Sequence, residues 1–188
     1  MGTHKGLLTG CGILALITLV LTYANHFHNG FYFDDGHTIV NNASIRSLNN
    51  IPRFFTDVAT FGTMPDNRGY RPMVTTLNAL DYWLAGGTLN PFYFHLSIFT
   101  WYVLQCLCLF FLFKKIFHSD RPHIWNDWFA FFAATWYAHH TANAETINYI
   151  IARSDSFSTF CIVLALLLYT LPRGKKYCLY LLHLHPLL

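Results

Sequence analysis

The sequence predicts an all-α integral membrane protein: about four transmembrane helices, with amphipathic interfacial helices in a long first outer loop. Three observations lead there. Only 11% of the 188 residues are charged, against about 25% in an average soluble domain. Hydrophobic residues make up 54% of the chain, and the mean hydropathy is +0.32. The apolar residues also come in long blocks separated by short charged segments. This composition excludes intrinsic disorder, a solvated helical repeat and a typical cytosolic enzyme. A net charge of +3 with scattered basic residues excludes a nucleic-acid partner.

Residues 1–6 form a short basic N-terminus, and residues 7–24 carry no charged side chain. Crossing about 30 Å of hydrocarbon takes roughly 20 apolar residues, so 7–24 predicts a first span. A signal peptide is the rival reading. Against it, the apolar stretch exceeds the usual h-region and no clear small-x-small cleavage site follows. Residues 25–91 predict a long outer loop. Residues 92–113 are the second span, opened by Asn90-Pro91 as cap and first helical residue and closed by Lys114-Lys115. Residues 114–123 predict a cytoplasmic loop. Residues 124–141 are a weaker third span, rich in aromatics, with Asp127 near its start. Residues 142–156 are a short outer loop and 157–171 the fourth span. Residues 172–188 predict a cytoplasmic turn and a fifth helix cut short.

Charge orients the spans. All five lysines lie at the N-terminus, between spans two and three, or after span four, joined by Arg121 and Arg173. Only Asp120 and Asp127 oppose them on that side, while the other seven acids fall on the opposite face. The positive-inside rule therefore places the N-terminus in the cytoplasm. All five cysteines lie in or beside apolar segments, which reads as core packing rather than a disulfide framework.

The long loop is not a linker. Ile51, Phe54, Phe55 and Val58 recur at helical spacing, with Pro52 in the first turn. A second helix is expected from Pro72 to Gly86-Gly87, with Tyr82 and Trp83 at headgroup level. Both suit the interface plane, since Asp81 disfavours a crossing there.

Two clusters on the outer face could carry chemistry. The first is Asp34-Asp35, with His37 two residues on. Adjacent carboxylates can bind a divalent cation such as Mg or Mn, serve as a general base, or repel so that one stays protonated. A solvated turn is the competing reading. The second cluster comprises His140, Glu145, Arg153 and Asp155. Charges this close to hydrocarbon need a partner, a cavity or a ligand. Arg153 suits a phosphate, which an arginine can hold bidentately. A structural ion pair from Arg153 to Asp155 or Glu145 is the alternative. Arg68 and Arg71 offer further outer cations, and His95 is expected to hydrogen-bond a neighbour. The His140/Glu145 spacing does not match the helical zinc motif. Anionic and cationic clusters on one face suit a lipid-linked phosphosugar. Its tail would lie in the bilayer while a carboxylate deprotonates an acceptor hydroxyl.

The motifs have a recognisable order. Phe33-Asp34-Asp35-x3-Ile39-x2-Asn42-x2-Ile45 follows the first span, then Tyr70-Arg71-Pro72, then Asn90-Pro91-x3-His95. Last comes His140-x4-Glu145-x2-Asn148-Tyr149-Ile150-x2-Arg153-x-Asp155. Together they resemble the multi-span GT-C glycosyltransferases that use polyprenyl-phosphate sugars. The nearest likeness is to the transmembrane O-mannosyltransferases with tetratricopeptide repeats and their bacterial relatives, over roughly residues 5–172. The resemblance implies a hexosyltransferase of the bacterial inner membrane or the endoplasmic reticulum membrane. It would transfer a sugar, mannose by likeness, from a polyprenyl- or dolichyl-phosphate donor to a hydroxyl of a protein or glycan acceptor. It implies a catalytic acid at Asp34 or Asp35. Phosphate or substrate contacts would come from Arg71, Arg153, His140, Glu145 and Asp155, with a metal, if any, at Asp34, Asp35 and His37. Thr141 stands where the family has proline, and Ile98 where it commonly has asparagine. Such enzymes are larger bundles, so the resemblance also implies a fragment of one. The alternatives are a non-enzymatic membrane scaffold or degenerate paralogue, and a cation-transporter subunit. The spans hold no carboxylate deep within them, which counts against transport.

Overall fold

The computed structural model describes residues 2–67 and 69–171. Arg68 and the expected cytoplasmic turn and fifth helix at 172–188 lie outside the described residues. Among those described, the fold is all-helical: α1 (Gly2–Thr22), α2 (Ile51–Phe54), α3 (Pro72–Leu84), α4 (Pro91–Asp120), α5 (Asn126–Ala138), α6 (Ala144–Asn148) and α7 (Arg153–Thr170). Short 3-10 turns and one π turn, Gly36–Val40, join them, and no strand occurs among the described residues. Two segments, Pro91–Ser119 and Ile150–Thr170, are long and apolar enough to cross a membrane.

The central element is α4. Asn90 accepts the Phe92 N–H at 3.1 Å and Pro91 occupies the first turn, as expected of this pair. At 30 residues the helix is about 45 Å long, seven residues longer at its C-terminal end than the expected span. It packs against α7 and α5. The expected third span is realised as a helix of only 13 residues, about 20 Å, which is short for a crossing. The fourth starts earlier than expected, so that Arg153, Ser154 and Asp155 form the first turn of α7 rather than loop.

The segment between α1 and α4 folds onto the bundle. Its centre is Asn42, whose amide donates to the carbonyls of Thr38 (3.1 Å), Thr60 (2.9 Å) and Phe61 (3.2 Å). The Asn42 side-chain oxygen accepts the Ser44 N–H at 2.9 Å. One buried asparagine thus closes the 38–61 excursion. Ile39, Ile45 and Phe54 from this segment, Ala79 of α3, Phe94 and Ile98 of α4, and Ile150 form one core. Ile98 is fully buried there, which accounts for an apolar residue at that position.

The amphipathic helix expected over 51–58 is only one turn long. Asp57 leaves the helical region at φ −134°, and its carboxylate caps the next turn by accepting the Ala59 N–H at 2.9 Å. It also pairs with Arg53 at 2.9 Å. Only Phe54 of the expected apolar face is fully buried, while Phe55 and Val58 remain exposed. Helix α3 forms as expected and stops where Gly86 and Gly87 turn left-handed, at φ +69° and +77°. Its inner face, Val74, Leu77, Asn78, Ala79 and Asp81, is buried, and Trp83 and Leu84 are exposed.

Candidate functional site

Adjacent residues Asp34 and Asp35 part ways. Tyr32-Phe33 make a tight turn in which Phe33 takes φ +45°, uncommon for a bulky residue. Asp35 turns inward and is fully buried, with Oδ2 accepting the Tyr32 N–H at 3.0 Å. Burial raises its pKa from 3.8 to about 6, although backbone bonds from Tyr32 and Ile151 and the charge of Arg153 oppose the rise. Asp34 turns outward, with its side chain 52% exposed. Its backbone N–H donates to Tyr149 Oη at 3.1 Å, which ties the first loop to the second. Its carbonyl accepts the Thr38 hydroxyl at 2.8 Å and so starts the wide turn at Gly36–Val40.

His37 is buried, and its Nε2 lies 3.6 Å from Asp34 Oδ1. Asp35 does not join them. The turn that exposes Asp34 points the next carboxylate the opposite way, so Asp34, Asp35 and His37 do not converge on one point. Among the described residues no group of three or more His, Cys, Asp or Glu side chains is arranged to hold a metal. The expected divalent-cation set therefore lacks a converging donor shell.

Arg153 is fully buried and pairs with neither Asp155 nor Glu145. Its partner is Asp81 of α3, at 2.5 Å. It also donates to the Phe94 carbonyl at 3.1 Å, and its guanidinium lies 5.8 Å from the Phe94 ring centre. Burial pushes the Asp81 pKa up, against the opposing charge of Arg153. The pair bolts α3 to α7 across α4. Arg153 Nε and Nη1 have no hydrogen-bond partner, so the guanidinium keeps donor capacity inside the fold. Burial removes it from direct contact with a headgroup phosphate at the surface.

Arg71 is the accessible counterpart. It is exposed, donates to Ser154 Oγ at 3.3 Å, and lies 5.7 Å from the Phe61 ring centre. Ser154 in turn contacts Asp155 Oδ1 at 3.2 Å. Arg71 and Asp155 thus sit at one patch although 84 residues separate them in the chain. His140 is elsewhere: its Nδ1 accepts the Ala142 N–H at 3.2 Å and caps the turn into α6. Glu145, exposed on α6, faces a cleft of about 510 Å³ lined also by Asn29, Tyr32, Phe33, Asn148 and Tyr149.

Two buried histidines complete the region. His26 Nε2 donates to the His95 carbonyl at 2.9 Å, and His95 Nε2 to the Gly30 carbonyl at 3.4 Å. Their rings meet edge to face at 4.3 Å. His95 thus makes the neighbour bond expected of it, and burial lowers the His26 pKa.

Sequence reasoning missed three residues here. Asp81 was legible as a lone charge in an apolar helix, a pattern that calls for a buried partner. Tyr149 and His26 carried no signal beyond a motif position or a loop. No family model, no curated protein and no solved structure matches the chain.

Proposed function

We propose that this chain belongs to a multi-span membrane glycosyltransferase. Helices α1, α4 and α7, and α5 extended by the turns at its two ends, would cross the bilayer, and the face carrying Asp34, Arg71 and Glu145 would lie outside the cytoplasm. The donor is a polyprenyl-phosphate sugar, mannose by resemblance, and the acceptor is a hydroxyl. The observation that carries this reading is the exposed Asp34 carboxylate at the junction of the two outer loops, tied to Tyr149 beside an open cleft. A general base must reach the proton it removes. Asp34 has that access, and Asp35 does not. In the transfer step the acceptor O–H loses its proton to Asp34 as a bond forms from its oxygen to the sugar carbon. The bond from that carbon to the phosphate oxygen breaks, and the lipid phosphate leaves as the anion. Arg71, exposed to the outside, would receive that phosphate. Asp35 acts as a positioning residue, holding the Tyr32–Asp34 turn through the Tyr32 N–H. Arg153 supports the site from within through Asp81.

The test is transfer from radiolabelled mannosyl-phosphoryl-polyprenol by the complete protein in lipid nanodiscs. Asp34→Asn is expected to lower kcat about 10²- to 10⁴-fold, the usual worth of a positioned base. Arg71→Met is expected to raise the donor KM about tenfold with a smaller change in kcat. Undiminished transfer by Asp34→Asn would remove the catalytic assignment. No transfer by the unaltered chain would favour the scaffold reading.

A further inference from the structure

The cleft between the 29–33 turn and α6 has a chemistry that sugar transfer does not require. Its walls are aromatic. Phe33 is 91% exposed, Tyr32 is 50% exposed, and the Phe33 and Tyr149 rings stand at 87° with centres 6.2 Å apart. Two rings at right angles bound a corner rather than stack into a core. A large apolar ring at a positive φ and almost wholly uncovered by protein is costly in conformation, and in hydration wherever it meets water. Contact with a ligand would offset both.

The sign of the cleft is negative. Among the described residues Glu145 is its only charged lining residue, and no lysine or arginine lines it. The carboxylate of Asp34 follows Phe33 directly and bears on the Tyr149 hydroxyl together with Asp35. The cleft itself offers a phosphate no cation; the cation assigned to the donor phosphate, Arg71, is not among its lining residues. A hard metal ion favours several converging carboxylates, and among the described residues no group of three or more His, Cys, Asp or Glu side chains is arranged to hold one. An organic cation satisfies both features: aromatic faces attract a cation within about 6 Å of the ring centre, and the carboxylates supply the counter-charge. A quaternary ammonium fits best, because its methyl groups cover apolar surface and it needs no hydrogen-bond acceptors.

We propose that this cleft binds a quaternary ammonium group of the choline type, held between Phe33, Tyr32 and Tyr149 with Glu145 as counter-ion. The volume of about 510 Å³ falls in the range of small-ligand sites. The group has two sources, a phosphatidylcholine headgroup or a soluble choline compound. The cleft borders the Asp34 face on which the transfer reading rests, but choline binding and sugar transfer are read in separate assays, so the failure of either is separately visible.

The experiment is calorimetric titration of choline chloride into the chain in phosphatidylglycerol nanodiscs. The neutral control is 3,3-dimethylbutan-1-ol, which replaces the nitrogen by carbon. Choline is expected to bind at least about tenfold more tightly than the control. Phe33→Gly is the informative variant, since glycine adopts the positive φ without strain and the turn is kept. It is expected to weaken choline about tenfold, and Glu145→Gln several-fold. Repetition in phosphatidylcholine nanodiscs separates the sources. A raised apparent Kd identifies the lipid headgroup as the competitor, and an unchanged Kd identifies a soluble ligand; either supports the site. Equal binding of choline and the neutral control would overturn the proposal. So would choline binding that survives Phe33→Gly and Glu145→Gln together.

Discussion

The Arg153–Asp81 centre and the Asp34 cleft lie in the same part of the molecule and use the same kinds of residue. Their environments are opposite. Arg153 is sealed among α3, α4 and α7 with its acid partner. Asp34 stands half in solvent beside an open cleft. A buried charge pair cannot release one member to a ligand without stranding the other in low dielectric. The first centre is therefore suited to holding helices in register, and the second to contact with molecules from outside. Residue type alone does not distinguish structural from functional charge here; depth does.

The largest effect that tests this contrast is loss of one member of the buried pair. Arg153→Ala is expected to destabilise the chain by about 3–5 kcal/mol, because it leaves Asp81 buried and unpaired. Thermal unfolding in detergent would measure it. The double change Arg153→Met with Asp81→Leu is expected to recover most of that stability. If Arg153→Ala unfolds normally and only weakens donor binding, the arginine is a ligand contact and the contrast fails.

A smaller effect concerns pH. The Asp35 carboxyl has its folded-state pKa raised from 3.8 to about 6. Between those values the folded state holds the proton more firmly than the unfolded chain. Its contribution to stability is therefore fully present below 3.8 and is lost as pH rises through about 6. Asp35→Asn is expected to flatten that part of the stability profile. A stability profile that keeps its slope in Asp35→Asn would show that Asp35 is not the group responsible.

The smallest effect probes the support beneath Asp34. A Cβ on Gly62 would sit 2.6 Å from His37 Nδ1, so Gly62→Ala must displace the ring that faces Asp34. A cost of about 1–3 kcal/mol is expected, together with a change in the His37 ring resonances by NMR. Unchanged resonances would show that the 62–63 segment yields instead.

Much of the helical architecture was legible in the residues. Asn90-Pro91 announced α4, Pro72 and Gly86-Gly87 bounded α3, and uncharged blocks marked α1, α4 and α7. The short helix at Ile51 was not legible in length, because the spacing of Phe55 and Val58 continued a pattern that Asp57 interrupts by capping the next turn. Within the site, Asp34, Arg71 and Glu145 are exposed as a surface role requires. The division of labour between Asp34 and Asp35 could not be read from a pair of identical letters, since one backbone turn decides which carboxylate faces solvent.

The sequence by itself determined the solvent-averse composition, the helical periods and where the few charges fall along the chain. These are local properties, set by side-chain hydropathy and backbone propensity over a turn or two. Only the tertiary structure decided partners. Arg153 meets Asp81 across 72 residues of chain, Tyr149 meets Asp34 across 115, and Asn42 gathers the carbonyls of a segment 18 and 19 residues away. Such pairings follow from how helices and loops pack in three dimensions, because the cost of burying a charge or a polar group depends on the neighbour that packing supplies.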